Sequence, residues 1–253
     1  MKSLSVLAGI VLIAYVLIGL YLYVFQRDFI YFPTVEIEHD FKTEEFLVND
    51  EVIKAVVVNE GNKEAILYFG GNAESVAYQA NTFAEIFPNH TIYLISYRGY
   101  GGSTGKPTEK GIYADALSIY DILSEKYQSV SAIGRSLGTG VVTYLGSKRD
   151  PEKIVLVTPY DSIQRIAQNK YPIYPLSILL KDKHNSIERV DDISAPALII
   201  IANKDSVVPR EHSQKLADAF PSSQATIVVF ENEGHNSFSQ SEKYHQALSE
   251  FIN

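Results

Sequence analysis

The hydropathy pattern divides the chain into two unlike parts. Over 4–25 there is no charged residue, and Leu, Ile, Val, Ala, Tyr and Phe dominate. At 1.5 Å per residue such a helix is long enough to cross a hydrocarbon core of about 30 Å. Lys2 precedes the run and Gln26-Arg27-Asp28 closes it. Tyr21, Tyr23 and Phe25 gather at its far end, as in an interfacial aromatic belt. The pattern predicts one transmembrane helix, a membrane anchor over 1–27. A cleavable signal peptide would have a shorter apolar region and a small-x-small site, and none stands near 20–30. Beyond the anchor, short apolar runs alternate with stretches of helical period. Strands are predicted at 45–48, 53–58, 65–69, 91–96, 129–133, 153–157, 197–202 and 225–230. Helices are predicted at 74–87, 109–127, 139–148, 210–220 and 241–252. Continuous apolar strands alternating with helices imply an α/β domain over 28–253, with a mainly parallel eight-stranded sheet covered on both faces. One stretch breaks the rhythm. The segment 161–193 is rich in Tyr, Pro and Leu around Tyr171-Pro172-Ile173-Tyr174-Pro175-Leu176, is too long for an ordinary connection, and is expected to form a small lid.

Charge and composition narrow the partners. The net charge is −8, which disfavours nucleic acid, and there is no Lys/Arg run of the kind that binds anionic lipid. The chain has no cysteine, which excludes a thiol nucleophile, a Cys-ligated zinc site and a redox motif. Lys2 and the amino terminus on one side of the anchor face only Arg27 and Lys42 on the other. That balance favours an amino terminus inside and the remaining domain on the extracytoplasmic side. The oligomeric state is left open.

The chemistry begins at Gly134-Arg135-Ser136-Leu137-Gly138, a G-x-S-x-G between a predicted strand and a predicted helix. A sharp strand-to-helix turn lifts the central side chain out of the sheet, which would expose Ser136 at its apex. A serine hydroxyl needs a base within hydrogen-bond reach and a group that orients the base. Asp205 follows the strand at 197–202, and His235 follows the strand at 225–230, giving the chain order Ser, acid, His. Asp161, after the strand at 153–157, competes with Asp205 for the role of acid. The other histidines lack the required position: His90 is in a Pro-Asn-His turn, His184 is in the lid, and His39, His212 and His245 are expected in surface segments. An oxyanion hole would take the backbone N–H of Leu137 and that of Asn72, in Gly70-Gly71-Asn72-Ala73. The same Asn72 could instead be a helix cap. The stretch Arg98-Gly99-Tyr100-Gly101-Gly102-Ser103-Thr104-Gly105 does not complete a phosphate-binding pattern. It is expected to be a structural turn, with Arg98 bonded to loop carbonyls.

These residues resemble the membrane-anchored α/β-hydrolases of the small abhydrolase type, a group with protein depalmitoylases, lysophospholipid lipases and many bacterial members. The resemblance runs from Phe25-Gln26-Arg27 and Tyr31-Phe32-Pro33 through Ser96-Tyr97-Arg98-Gly99-Tyr100-Gly101 and the Ser136 motif. It continues to Leu180-Lys181-Asp182, Asp205-Ser206-Val207-Val208-Pro209 and Gly234-His235. Gly70 stands where such proteins usually carry His, which affects the oxyanion loop and not the Ser–Asp–His set. The resemblance implies the α/β-hydrolase fold and hydrolysis of esters or thioesters, with no metal or organic cofactor. The expectation is a single-pass serine hydrolase acting on lipid or acylated small molecules. A peptidase on the same scaffold, or a catalytically silent interaction protein, are the rival readings.

Overall fold

The computed structural model describes residues 2–253, so residue 1 of the predicted anchor lies outside it. Helix α1 spans Lys2–Ile30. A hairpin of β1 (Lys42–Val48) and β2 (Glu51–Val58) leads to β3 (Glu64–Phe69), a 3-10 turn at Val76–Gln79 and α2 (Ala80–Ile86). Then follow β4 (His90–Ile95), α3 (Glu109–Ser124), β5 (Ser129–Arg135), α4 (Leu137–Gly146) and β6 (Ile154–Val157). The chain continues through α5 (Ile163–Lys170), α6 (Leu176–Leu179) and a 3-10 turn at Ile187–Asp192. It closes with β7 (Ala197–Ala202), α7 (Arg210–Ala217), β8 (Ala225–Phe230) and α8 (Glu242–Ile252).

The eight strands form one sheet in the order β1-β2-β4-β3-β5-β6-β7-β8. From β4 to β8 every pairing is parallel, and the antiparallel hairpin adds β2 to the edge of β4. Because side chains alternate across a strand, the two faces separate residue by residue. Ala65, Leu67 and Phe69 of β3 join one core with α3, α4 and α7. Ile66 and Tyr68 join the other, with α2 and α8. Continuous burial of β4 and β7 is the reason that they read as unbroken apolar runs.

Two elements differ from the sequence pattern. The helix expected at 74–87 starts only at Val76 and is 3-10 in its first part. Ala73 has φ 59 and Ser75 is extended, while the Glu74 carboxylate is held by Gly71 N–H and Tyr68 O–H, so this first turn is committed to the loop. Helix α1 runs on to Ile30 because its polar end gains partners in 161–193: Arg27 pairs with Asp182 at 2.8 Å, and Gln26 accepts the Lys181 N–H at 2.6 Å. The segment 161–193 itself folds as α5, a Pro-bounded turn, α6 and the second 3-10 turn, closed by an isolated bridge between Ser162 and Asn185.

Candidate active site

The turn from β5 into α4 is tight because two glycines remove atoms that have no room. A Cβ on Gly134 would stand 2.4 Å from the Gly138 carbonyl oxygen, and one on Gly138 would stand 1.9 Å from that of Phe69. Ser136 between them has φ 49 and ψ −113, a conformation costing about 1–3 kcal/mol that surrounding bonds must hold. Its N–H donates to Val157 O at 2.9 Å. Its carbonyl accepts from the Thr139 amide and hydroxyl at 2.9 and 2.7 Å.

The parallel order brings the loops after β7 and β8 to the same edge as this turn. Asn203 N–H donates to Phe230 O and Lys204 N–H to Glu233 O, which ties the two loops together. His235 Nε2 lies 2.9 Å from Ser136 Oγ, and its Nδ1 lies 2.6 Å from Asp205 Oδ2. The other Asp205 oxygen accepts the amides of Val207 and Val208, each at 2.8 Å. That saturated carboxylate favours a proton on Nδ1, which leaves the Nε2 lone pair for the serine O–H.

Asp161 is directed elsewhere. Its carboxylate, 1% exposed, accepts from Ser162 N–H at 2.7 Å, lies 2.7 Å from His212 Nδ1 and pairs with Arg165 at 3.1 Å. His212 was expected at the surface and is instead buried, since α7 packs this face against the lid segment and Asn169 donates to its Nε2 at 3.2 Å. His184 is also buried, bridged by the hydroxyls of Tyr31 and Tyr113. Arg98 does not bond loop carbonyls. Its guanidinium forms a two-pronged pair with the buried Asp115 carboxylate, at 2.7 and 2.5 Å, because α3 delivers a charge partner that a carbonyl cannot match.

The loop 70–73 passes beside Ser136: a Cβ on Gly71 would lie 3.7 Å from the serine Cβ. Leu137 opens α4, where first-turn amides have no intrahelical acceptor and point toward whatever anion the helix end meets. Asn72 is not a helix cap. Its side chain donates to Ile30 O at 2.7 Å and accepts from Phe32 N–H and Tyr100 O–H, each at 2.9 Å, so the loop grips the exit of α1. The sequence pattern did not reveal the further supports. Tyr97 O–H donates to Gly70 O at 2.6 Å, and Arg135 pairs with Glu74 at 3.1 Å while donating to Asn236 at 2.6 Å. One arginine thereby braces the serine turn, the loop 70–74 and the histidine loop.

The family profile described as TAP-like protein matches residues 180–253. An uncharacterized protein of Mycobacterium tuberculosis is 34% identical over 181 residues, 70% of this chain and 64% of that protein. The alpha/beta hydrolase domain-containing protein 17C of Xenopus tropicalis is 27% identical over 198 residues, 76% of this chain and 62% of its own length. The chain thus spans less than two thirds of these relatives. Among solved structures, the Pyrococcus furiosus esterase Pf2001 superposes with a TM-score of 0.70 at 17% identity, covering 87% of this chain and 95% of its own. The fold is that of the α/β-hydrolases.

Proposed function

We propose that this small α/β-hydrolase with an N-terminal apolar helix is a serine hydrolase of carboxylic esters or thioesters. The observation that carries the reading is the hydrogen-bonded series Asp205–His235–Ser136, with the serine on a strained turn at the head of α4. In this reading Ser136 Oγ attacks the substrate carbonyl carbon as His235 Nε2 takes its proton. The Leu137 and Asn72 amides receive the oxyanion, and His235 returns the proton to the departing alcohol or thiol. Water, activated by the same imidazole, then releases the acyl group from Ser136. Asp205 fixes the imidazole and stabilises its charged form. That Pf2001 is an esterase agrees with this chemistry. We assign α1 to a single membrane crossing, on its length and on an 18-residue stretch of mean hydropathy 2.5 within Ser3–Ile30, with 28–253 as the catalytic domain and 161–193 as its lid. Acylated or lipid substrates fit a site held close to a bilayer.

The test is labelling of the full-length protein with a fluorophosphonate. Wild type should label, whereas Ser136→Ala should not. Ser136→Ala and His235→Ala should each lower hydrolysis of an aryl ester by at least about a thousandfold without unfolding the domain. An unlabelled wild type, or normal turnover by Ser136→Ala, rejects the mechanism.

A further inference from the structure

The tip of the lid segment runs from Tyr171 to Leu180 without a charge, between Lys170 and Lys181. Ile173 is 66% exposed and Ile178 81%. This tip lies along α1, not over water-facing surface. Tyr174 stacks on Tyr15 with ring centroids 4.7 Å apart. Tyr15 O–H donates to Ile173 O at 2.9 Å, and Tyr174 O–H returns a bond to Tyr15 O at 3.0 Å. Gly19 allows the approach, since a Cβ there would stand 2.8 Å from the Tyr174 ring. Tyr15, Gly19 and Gln26 are spaced along one helical face, and the same face holds Leu179 and Lys181 through Gln26.

Tyr15 stands about 18 Å along the helix axis from Arg27, and half of a hydrocarbon core is about 15 Å. With Arg27 and Asp182 at the membrane surface, Tyr174 and its neighbours are therefore at hydrocarbon depth. An irregular backbone survives there only when its polar groups are satisfied within the protein. Most of the tip's amides meet that condition. The amides of Tyr171, Tyr174, Ile178, Leu179 and Leu180 each donate to a carbonyl within or just before the tip. Leu176 N–H reaches Gln168 Oε1 at 3.0 Å, and Gln168 Nε2 covers the Tyr174 carbonyl at 2.9 Å. Pro172 and Pro175 have no N–H to satisfy. At the rim, the Lys181 ammonium lies 4.4 Å from the Tyr23 ring centroid, a pairing suited to the headgroup level.

We infer that this tip is a second membrane element: residues 171–180 insert beside α1 into the acyl region of the bilayer, reaching about its midplane, with Ile173 and Ile178 facing lipid chains. The inference rests on α1 crossing the bilayer. The lid is then fixed at both ends of its depth, by Tyr15 inside the membrane and by Arg27 at its surface.

The absence of cysteine makes the test direct. Full-length Ile173→Cys, Ile178→Cys, Ile10→Cys and Ile122→Cys proteins, each carrying one bimane, are reconstituted in phosphatidylcholine vesicles. Lipids with a nitroxide at mid-chain, lipids with one at the headgroup, and aqueous iodide serve as quenchers. Probes at 173 and 178 should lose fluorescence to the mid-chain nitroxide, as the probe at 10 does, and resist iodide, whereas the probe at 122 should respond to iodide alone. Iodide quenching at 173 and 178 while 10 responds to lipid overturns the insertion and leaves the anchor standing. Protection at 173 and 178 from all three quenchers also overturns it, since the tip would then be covered by protein. An iodide-sensitive probe at 10 overturns the anchor and the insertion with it.

Discussion

At the residue scale, two aspartates at the ends of adjacent strands carry different burdens. Asp205 spends one oxygen on two backbone amides and the other on His235. Asp205→Asn presents an amide N–H where the imidazole N–H must donate, so the tautomer that accepts from Ser136 is disfavoured and turnover should fall by about ten-thousandfold. Asp161→Asn should leave kcat for a soluble aryl ester within about threefold, because its partner is His212. It should lower stability by about 1–3 kcal/mol, since the buried carboxylate also serves Ser162 and Arg165. Paired kinetics and thermal melts separate the two effects, and the reverse ranking in kcat would move the acid to β6. The chain order of Ser136, Asp205 and His235 was readable because each follows a recognisable strand. The bracing by Glu74, Arg135 and Asn236 was not. Arg135 is 61 residues from one partner and 101 from the other, so no local spacing marks the group.

At the element scale, apolar period sufficed for the strands and most helices, since burial on one or both faces writes itself into the sequence. It failed where a side chain outside the element decides, as at 74–75, where Glu74 serves the loop. It was silent on how α1 and the lid segment meet. That joint contains a titratable group. His184 accepts and donates between Tyr31, just past α1, and Tyr113 on α3, with Asp182, Glu109 and Arg189 as the facing charges. Burial pulls its pKa down to about 4, against about 6.5 in an unfolded chain. Between those values the unfolded state binds the proton and the folded state does not. Its contribution is therefore complete above about pH 6.5 and is lost as pH falls toward 4, by at most about 3 kcal/mol. Urea midpoints of wild type in detergent should drop between pH 7 and 4.5, and His184→Gln should flatten that drop. An unchanged slope in the variant would remove His184 from the joint.

At the scale of the whole molecule, α1 is joined to the α/β domain at three levels. Tyr15 holds the tip of 161–193, Gln26 and Arg27 hold Lys181 and Asp182, and the backbone of Ile30 and Phe32 holds Asn72 beside Ser136. Deleting residues 1–25 removes the first, together with the Tyr23 ring beside Lys181. The Ser136–His235–Asp205 geometry and the Asn72 clamp persist, so hydrolysis of a soluble short-chain ester should stay within about threefold of the full-length protein. If α1 crosses the bilayer as proposed, what is lost is a tether that fixes local concentration and orientation there. Turnover of a long-chain ester or thioester embedded in vesicles should therefore fall by about tenfold or more, measured with full-length protein in proteoliposomes against truncated protein added to matching vesicles. Deleting residues 1–33 removes two of the three partners of Asn72 as well, leaving only Tyr100, and the soluble ester should then suffer too, through kcat. Equal retention on both substrates by the shorter deletion would deny the membrane any part in substrate capture. Equal loss on both would make α1 a folding element of the domain, with the contact between Tyr15 and Tyr174 as the first to re-examine.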